Sequence, residues 1–300
     1  MVICGDVANK GLSENLAKLT GFELFYPDVK VFADGEKRVR FEKEVLDETV
    51  LVVKSHGIPT DSNVLETLFL LDALKRSGAT KLIGIISYLG YMRADHMFRT
   101  GEAVPLEVVI GLLESNHLDE IVIIDPHSIK IPELFKITVH NLSAIHVFAK
   151  KIKELQGNNG EISIVSPDMG GIRRLDLLSE ELGGVNKVII NKDRDLETGS
   201  ITVRISEGEI KGTCFIVDDI ISTGKTIVDS VDVLLENGAE EVYIMATHPV
   251  FAPGASKLLK NSKAKKVYVT DTIEVSEEDK FENLEVLSVA DLISQVVKND

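Results

Sequence analysis

Residues 214–234 read CFIVDDIISTGKTIVDSVDVL. The opening Cys-Phe-Ile-Val run is continuous rather than alternating, which marks a strand buried on both faces. It ends at Asp218-Asp219, passes through a short loop of Ser222, Thr223 and Gly224, and enters a stretch with helical apolar spacing. Similar runs lie at 49–55 (TVLVVKS), 81–87 (KLIGIIS), 120–125 (EIVIID), 161–166 (EISIVS), 187–191 (KVIIN), 241–247 (EVYIMAT) and 266–270 (KVYVT). Amphipathic segments separate several of them. After Asp61-Ser62, NVLETLFLLDALKRSG predicts a helix with an N-cap, basic residues near its end and Gly78 as its stop. GGIRRLDLLSEELGG (170–184) and the stretch from Gly224 to Gly238 read the same way. Strand, loop, helix, strand predicts an α/β chain with mostly parallel sheets and helices on both faces. VFADGEKRVRFEKEV (31–45) predicts a small hairpin or flap.

The chain has 300 residues, about two domains at roughly 150 each. The division is expected near 142/143, giving domains over 1–142 and 143–287, with the tail SVADLISQVVKND forming a last helix over 288–300 that packs on the first half. Lys and Arg number 33 against 48 Asp and Glu, a net charge of −15. Such a chain is a poor electrostatic partner for nucleic acid or an anionic membrane, and any phosphate must be held by local donors. No apolar run reaches the ~20 residues of a membrane span. The start, MVICGDVANKG, lacks the basic-then-apolar layout of a secretory signal, and Cys4 and Cys214 form no CxxC. A cytoplasmic location is the expectation.

In open parallel sheets, ligands bind beyond the carboxyl ends of the strands. The residues just past the runs are His56, Asp125, Asp168, Lys192 and Asp218-Asp219. This mostly acidic rim suits sugar hydroxyls and hard divalent cations. In the 218–226 loop, hydroxyls, backbone N–H groups and a helix N-terminus form an anion cradle. The paired carboxylates can accept hydrogen bonds from two ribose hydroxyls, so the loop suits a ribose 5-phosphate ester. The Gly224-Lys225-Thr226 triplet is not a Walker A motif, because that pattern needs glycine where Asp219 stands.

VDDIISTGKT (217–226) resembles the phosphoribosyl-diphosphate motif of type I phosphoribosyltransferases. In register with it stand FADGEKRVR (32–40), LLDALKRSGA (70–79), ISYLGYMRADHMFRTGEAV (86–104), IIDPHS (123–128), SPDMGGIRR (166–174) and NKDRD (191–195). Together they resemble the ribose-phosphate diphosphokinases, in compactness the shorter archaeal members. The resemblance implies two tandem phosphoribosyltransferase-like domains. It also implies transfer of the ATP diphosphoryl group to ribose 5-phosphate, with Mg²⁺ and in a homo-oligomer, a dimer or larger.

Residue by residue, the resemblance assigns Lys192 and Arg194 to a catalytic loop that closes over the phosphates, with Asp193 where a basic residue is common. Phe32, Asp34, Gly35 and Glu36 match the segment that contacts the ATP base, often across a subunit boundary. Arg93, Ala94 and Asp95 match a second ATP segment, although glutamine is usual at 94 and a basic residue where His96 stands; Arg99 is a further phosphate candidate. Asp218, Asp219, Ser222, Thr223, Gly224, Lys225 and Thr226, with Arg194, fall to ribose 5-phosphate. His127 and Asp168 match magnesium-associated positions. Asp168 is a hard oxygen donor, whereas the His127 imidazole suits Mg²⁺ poorly and could hold a metal-bound water or an ATP phosphate instead. Two other readings stand beside this one: a non-catalytic regulatory subunit of such a synthetase, and a base phosphoribosyltransferase.

Overall fold

The computed structural model describes residues 1–156, 160–194 and 201–298, with 192–194 and 201–203 described by their backbone alone. The chain runs β1 (Val2–Cys4), α1 (Lys10–Thr20), β2 (Glu23–Phe25), β3 (Asp28–Val31), β4 (Lys37–Arg40), β5 (Thr49–Lys54), α2 (Thr60–Arg76), β6 (Lys81–Ile86), α3 (Pro105–Ser115), β7 (Glu120–Ile124) and β8 (Thr138–Leu142). It continues through α4 (Ile145–Gln156), β9 (Ile162–Ser166), α5 (Ile172–Glu181), β10 (Asn186–Arg194), β11 (Ile201–Glu207), β12 (Thr213–Ile221), α6 (Lys225–Glu236), β13 (Val242–Pro249), α7 (Ala255–Lys260), β14 (Lys266–Thr270), β15 (Leu284–Leu287) and α8 (Ala290–Val297).

Two compact units result. The first holds Met1–Ser143, Asp271–Glu274 and Ser288–Asp300; the second holds Ala144–Thr270 and Val275–Leu287. In the first, the sheet order is β2-β1-β5-β6-β7-β8, with every neighbouring pair parallel. Val50, Leu51, Val52, Leu82, Ile83, Ile121 and Val122 are buried in that sheet. β3 and β4 form a separate antiparallel hairpin whose connection is Phe32–Glu36. α2 starts earlier than its sequence suggests. Pro59 precedes its first turn without a side-chain cap, and Asp61 lies inside that turn, where a carboxylate suits the positive helix end.

In the second unit the order is β11-β10-β9-β12-β13-β14-β15, parallel except for the β10–β11 pair. Ile227, Val231 and Leu234 recur at helical spacing along α6 and join Cys214 and Ile216 of β12 in one buried cluster. Alternate residues face the other way: Phe215 stacks on Tyr243 of β13 with ring centroids 5.1 Å apart. From β9 the chain goes to β10 on one side, and β12 lies on the other, so the β9 and β12 ends flank a topological switch point. Among the described residues, no helix is long and apolar enough to cross a membrane.

Candidate active site

β12 carries its acids past its buried centre. Pairing with β9 stops at Ile216↔Val165, whereas pairing with β13 continues to Ile221↔Pro249. Asp218 and Asp219 therefore belong to the strand itself, on a stretch that β9 no longer covers. Arg174, in the first turn of α5, fills that side. Its Nη1 lies 3.3 Å from Asp218 Oδ1 and its Nη2 lies 3.2 Å from Asp219 Oδ1. The Asp219 N–H also donates to Asp218 Oδ1 at 2.9 Å. Burial pushes the Asp218 carboxyl well above its ordinary range; the adjacent Asp219 carboxylate adds to the push and the Arg174 guanidinium opposes it. Arg174 had no role from the sequence, although its basic pair in SPDMGGIRR, one helical turn from the glycines, is the signal that could have found it.

Ser222 and Thr223 lead to Gly224, which caps α6 with φ 75°. That left-handed backbone favours glycine. No side chain caps the helix, so its N-terminal N–H groups face a loop built of hydroxyls. The loop is held from behind, with Phe251 and Ala252 N–H groups donating to Ile221 and Ser222 carbonyls at 3.0 Å each. Thr226 is half-buried in the first turn, and Lys225 is exposed with its ammonium 3.1 Å from Asp229 on the next turn.

Asp168 sits two residues beyond β9 and caps the short turn Met169–Gly171. Its Oδ1 accepts from the Gly170 and Gly171 N–H groups at 2.9 and 3.2 Å, and the residue is exposed. His127 is exposed in the first unit. Near it in sequence, Asp125 adopts φ 38° and accepts from the Ser143 hydroxyl at 2.7 Å. Among the described residues, no group of three or more His, Cys, Asp or Glu side chains could hold a metal ion. Mg²⁺, however, keeps several waters and is held by one or two carboxylates plus substrate phosphates, so a lone exposed carboxylate fits it.

His56 departs from the expected rim. It is fully buried, its Nε2 is 3.2 Å from Thr67 Oγ1, and its Nδ1 accepts from the Gly90 N–H at 3.3 Å. Burial, helped by the Lys54 charge, lowers its pKa to about 3. It is a neutral core histidine.

The hairpin connection presents Phe32, Asp34, Gly35 and Glu36, all exposed. Gly35 has φ 89°, and its N–H donates to the Phe32 carbonyl at 3.0 Å. The Lys30 ammonium lies 5.3 Å from the Phe32 ring centre. Behind the connection, Asp34, Lys37, Leu65 and Phe69 border a cavity of about 520 Å³. Arg93 is exposed, and Ala94 and Asp95 are half-buried, just after Tyr91, whose φ is 65°. The Tyr91 hydroxyl donates to the Asp61 carboxylate, and the Ala94 N–H donates to the Tyr91 carbonyl at 2.8 Å, so this turn is held in a strained form. His96 is occupied by Asp95, at 2.6 Å, and Arg99 is exposed. Lys192 and Arg194 lie on β10 opposite Val203 and Ile201 of β11. Their side chains, which carry the catalytic expectation, lie outside the described residues.

The structure thus gathers the 218–226 residues with Arg174 around one strand end in the second unit, and Asp168 follows the neighbouring strand. The hairpin residues, Arg93–Asp95 and His127 belong to the first unit.

Comparison with known proteins covers nearly the whole chain. A family model described as the N-terminal domain of ribose phosphate pyrophosphokinase matches residues 1–116, and a phosphoribosyl transferase domain model matches 138–284. The ribose-phosphate pyrophosphokinase 1 of Streptococcus pneumoniae is 34% identical over 292 residues, covering 97% of this chain and 90% of that protein. The ribose-phosphate pyrophosphokinase of Fusobacterium nucleatum is 32% identical, covering 97% and 92% respectively. The crystal structure of phosphoribosylpyrophosphate synthetase from Mycobacterium smegmatis superposes with a TM-score of 0.91 at 32% identity, over 99% of this chain and 97% of that one.

Proposed function

This chain belongs to the ribose-phosphate pyrophosphokinase family, and from that premise we propose how its residues carry the reaction. It is a transferase that moves the diphosphoryl group of ATP to the anomeric hydroxyl of ribose 5-phosphate. The products are 5-phosphoribosyl 1-diphosphate, for nucleotide biosynthesis, and AMP. The observation that carries the residue assignment is the end of β12: two carboxylates followed directly by an uncapped helix N-terminus in a loop of hydroxyls.

Asp218 and Asp219 accept hydrogen bonds from the ribose hydroxyls. Ser222, Thr223, Gly224, Lys225 and Thr226 receive the 5-phosphate, with the α6 N-terminus supplying N–H donors. The substrate's own hydroxyl is the nucleophile, so the protein supplies positioning and charge neutralisation rather than a nucleophilic side chain. Lys192 and Arg194 place cations at the transferred group, where charge develops. Phe32 stacks on adenine, Asp34 and Glu36 accept from its exocyclic amine, and Gly35 shapes the turn between them. Arg93, Ala94 and Asp95 form a second ATP contact, through the guanidinium above all. Asp168 would hold Mg²⁺, which neutralises phosphate charge when bound, and His127 is assigned to a metal, a metal-bound water or an ATP phosphate.

We place the enzyme in the cytoplasm, as a homo-oligomer in which the exposed Phe32–Glu36 connection serves a neighbour's ATP. Full activity in a species that light scattering shows to be monomeric would sink that arrangement. The reaction itself is tested by incubating the protein with Mg²⁺, ATP and ribose 5-phosphate and separating the adenine nucleotides. AMP that appears only with the sugar phosphate is the expected result. ADP would mean an ordinary kinase. Absence of turnover with retained binding of phosphoribosyl diphosphate would favour a regulatory subunit.

A further inference from the structure

Arg174 is the one described cation that touches both members of the acidic pair. Successive residues on a strand point to opposite faces. Asp218 and Asp219 therefore leave the strand in different directions, and their carboxyls need a common partner to act together. A planar guanidinium meets each carboxylate with its own nitrogen in one fixed fork, a geometry that a single ammonium nitrogen does not impose. Here its two ends do so, from a side chain that is 17% exposed. The turn that delivers the arginine is close-packed at Gly171. A Cβ there would stand 2.2 Å from Ser166 Oγ and 3.4 Å from Arg174 Nη1. Ser166 in turn donates to the Asp168 carbonyl at 2.7 Å, so the turn before α5 is fixed where it delivers the arginine.

Resting on the reading of the pair as ribose-hydroxyl acceptors, we propose that Arg174 is the positioning residue that holds Asp218 and Asp219 as one joint acceptor. It thereby sets the preference for ribose 5-phosphate over 2-deoxyribose 5-phosphate. A site built to accept from a hydroxyl discriminates against an analogue that lacks it, because its acceptor is left unpaired. That discrimination needs both carboxylates aimed at neighbouring hydroxyls. Without the guanidinium the carboxylates part, and one hydroxyl loses its acceptor.

The test uses the full chain with Mg²⁺ and ATP, and steady-state rates on both sugar phosphates for wild type, R174Q, R174K and D219N. R174Q should raise the KM for ribose 5-phosphate roughly tenfold or more, leave the KM for ATP within about twofold, and narrow the ribose-to-deoxyribose ratio of kcat/KM by roughly tenfold. R174K keeps the charge without the fork and should fall between R174Q and wild type. Unchanged ribose 5-phosphate kinetics in R174Q would overturn the proposal. So would equal losses on ATP and on both sugars, which mark a merely structural ion pair. If circular dichroism shows that R174Q does not fold, R174K decides, and wild-type KM and selectivity in it overturn the proposal. D219N separates the two levels. If D219N leaves ribose 5-phosphate kinetics intact, the reading of the acidic pair fails and the proposal falls with it. If D219N is impaired and R174Q is not, only the role of Arg174 is lost.

Discussion

His56 follows a buried strand just as a rim ligand would, and its type and position alone could not separate the two roles. The difference lies in what surrounds it. Gly90 N–H already points at Nδ1, so a protonated ring would set two donors against each other, inside a fully buried site. The sign of the pH effect follows. The folded pKa of about 3 lies below the ordinary 6.5, so the unfolded chain binds the proton that the native state excludes. This contribution to stability is complete above pH 6.5 and is lost as pH falls towards 3. Its slope is about 1.4 kcal/mol per pH unit. Urea unfolding between pH 7 and 5 should show that slope shrinking in His56→Gln relative to wild type; parallel curves would mean the ring titrates freely. The acidic pair and the 222–226 loop were legible as a candidate site because hydroxyls, glycine and carboxylates stand together in sequence. Arg174 was not, since its contacts form only when α5 packs beside β12. Lys192 is assigned by its charge and its motif. As a cation at the transferred phosphates, it should cost roughly 10²–10³ in kcat when replaced by alanine, with KM nearly unchanged. A loss below about threefold in steady-state assays would remove it from that role.

Among the elements, the long Val/Ile runs were readable because strands buried on both faces leave no polar alternation. β11 carries the other strand pattern, the alternation of ITVRISE, which marks a strand with one apolar face rather than a continuous run; three-residue strands such as β1 and β2 carry too little pattern to be told from loops. The hairpin was legible in outline, but not its attachment. A two-stranded ribbon is marginal alone. This one is tied down by Lys37, whose ammonium lies 2.6 Å from Glu66 Oε2 on α2. The other Glu66 oxygen, Oε1, is 2.8 Å from the buried Lys54, itself 2.8 Å from Asp6 Oδ1. Burial alone would raise the Glu66 carboxyl, but Lys54 and Lys37 outweigh it and hold it below its ordinary value. Lys37→Ala leaves Glu66 paired with Lys54, so the core should stand while the ribbon loosens. Amide exchange across 28–40 should rise, and the KM for ATP should increase by roughly threefold or more with kcat little changed. Arg38→Ala, which removes an exposed ion pair with Asp28, serves as the control and should do neither. Unaltered exchange in Lys37→Ala would show that the ribbon needs no such anchor.

Across the whole molecule, the two units share one order of parallel strands, to which the second adds the antiparallel edge strand β11, and they treat their switch points differently. In the second, carboxylates stand at or just past the ends of β9 and β12, with Arg174 of α5 on the Asp218–Asp219 pair, beside the 222–226 loop. In the first, the corresponding ends of β1 and β5 are closed by the buried Asp6–Lys54 pair. Duplication of pattern was visible along the chain; which copy closes its switch point with a buried ion pair was not, because Lys54 reads as the ordinary polar end of a strand. The first unit is also discontinuous. Asp271 returns to it, its carbonyl accepting from Asn9 Nδ2 at 2.7 Å and its Oδ1 from the Val289 N–H at 2.8 Å. Those bonds precede α8, which packs on α1, and they bury Val289, Ile293 and Val297 to within 1% of full burial. At roughly 1.5–3 kcal/mol for each such side chain, these three are worth about as much as the 5–15 kcal/mol that separates a folded domain from its unfolded state. A chain ended at Leu287 should therefore lose the cooperative melting of its first unit, and with it ATP binding. Ile293→Ala alone should cost about 2–5 kcal/mol and still fold. Calorimetry of the shortened chain decides it: a sharp, two-unit transition at the wild-type temperature would mean that the returning helix decorates the first unit rather than completing its core.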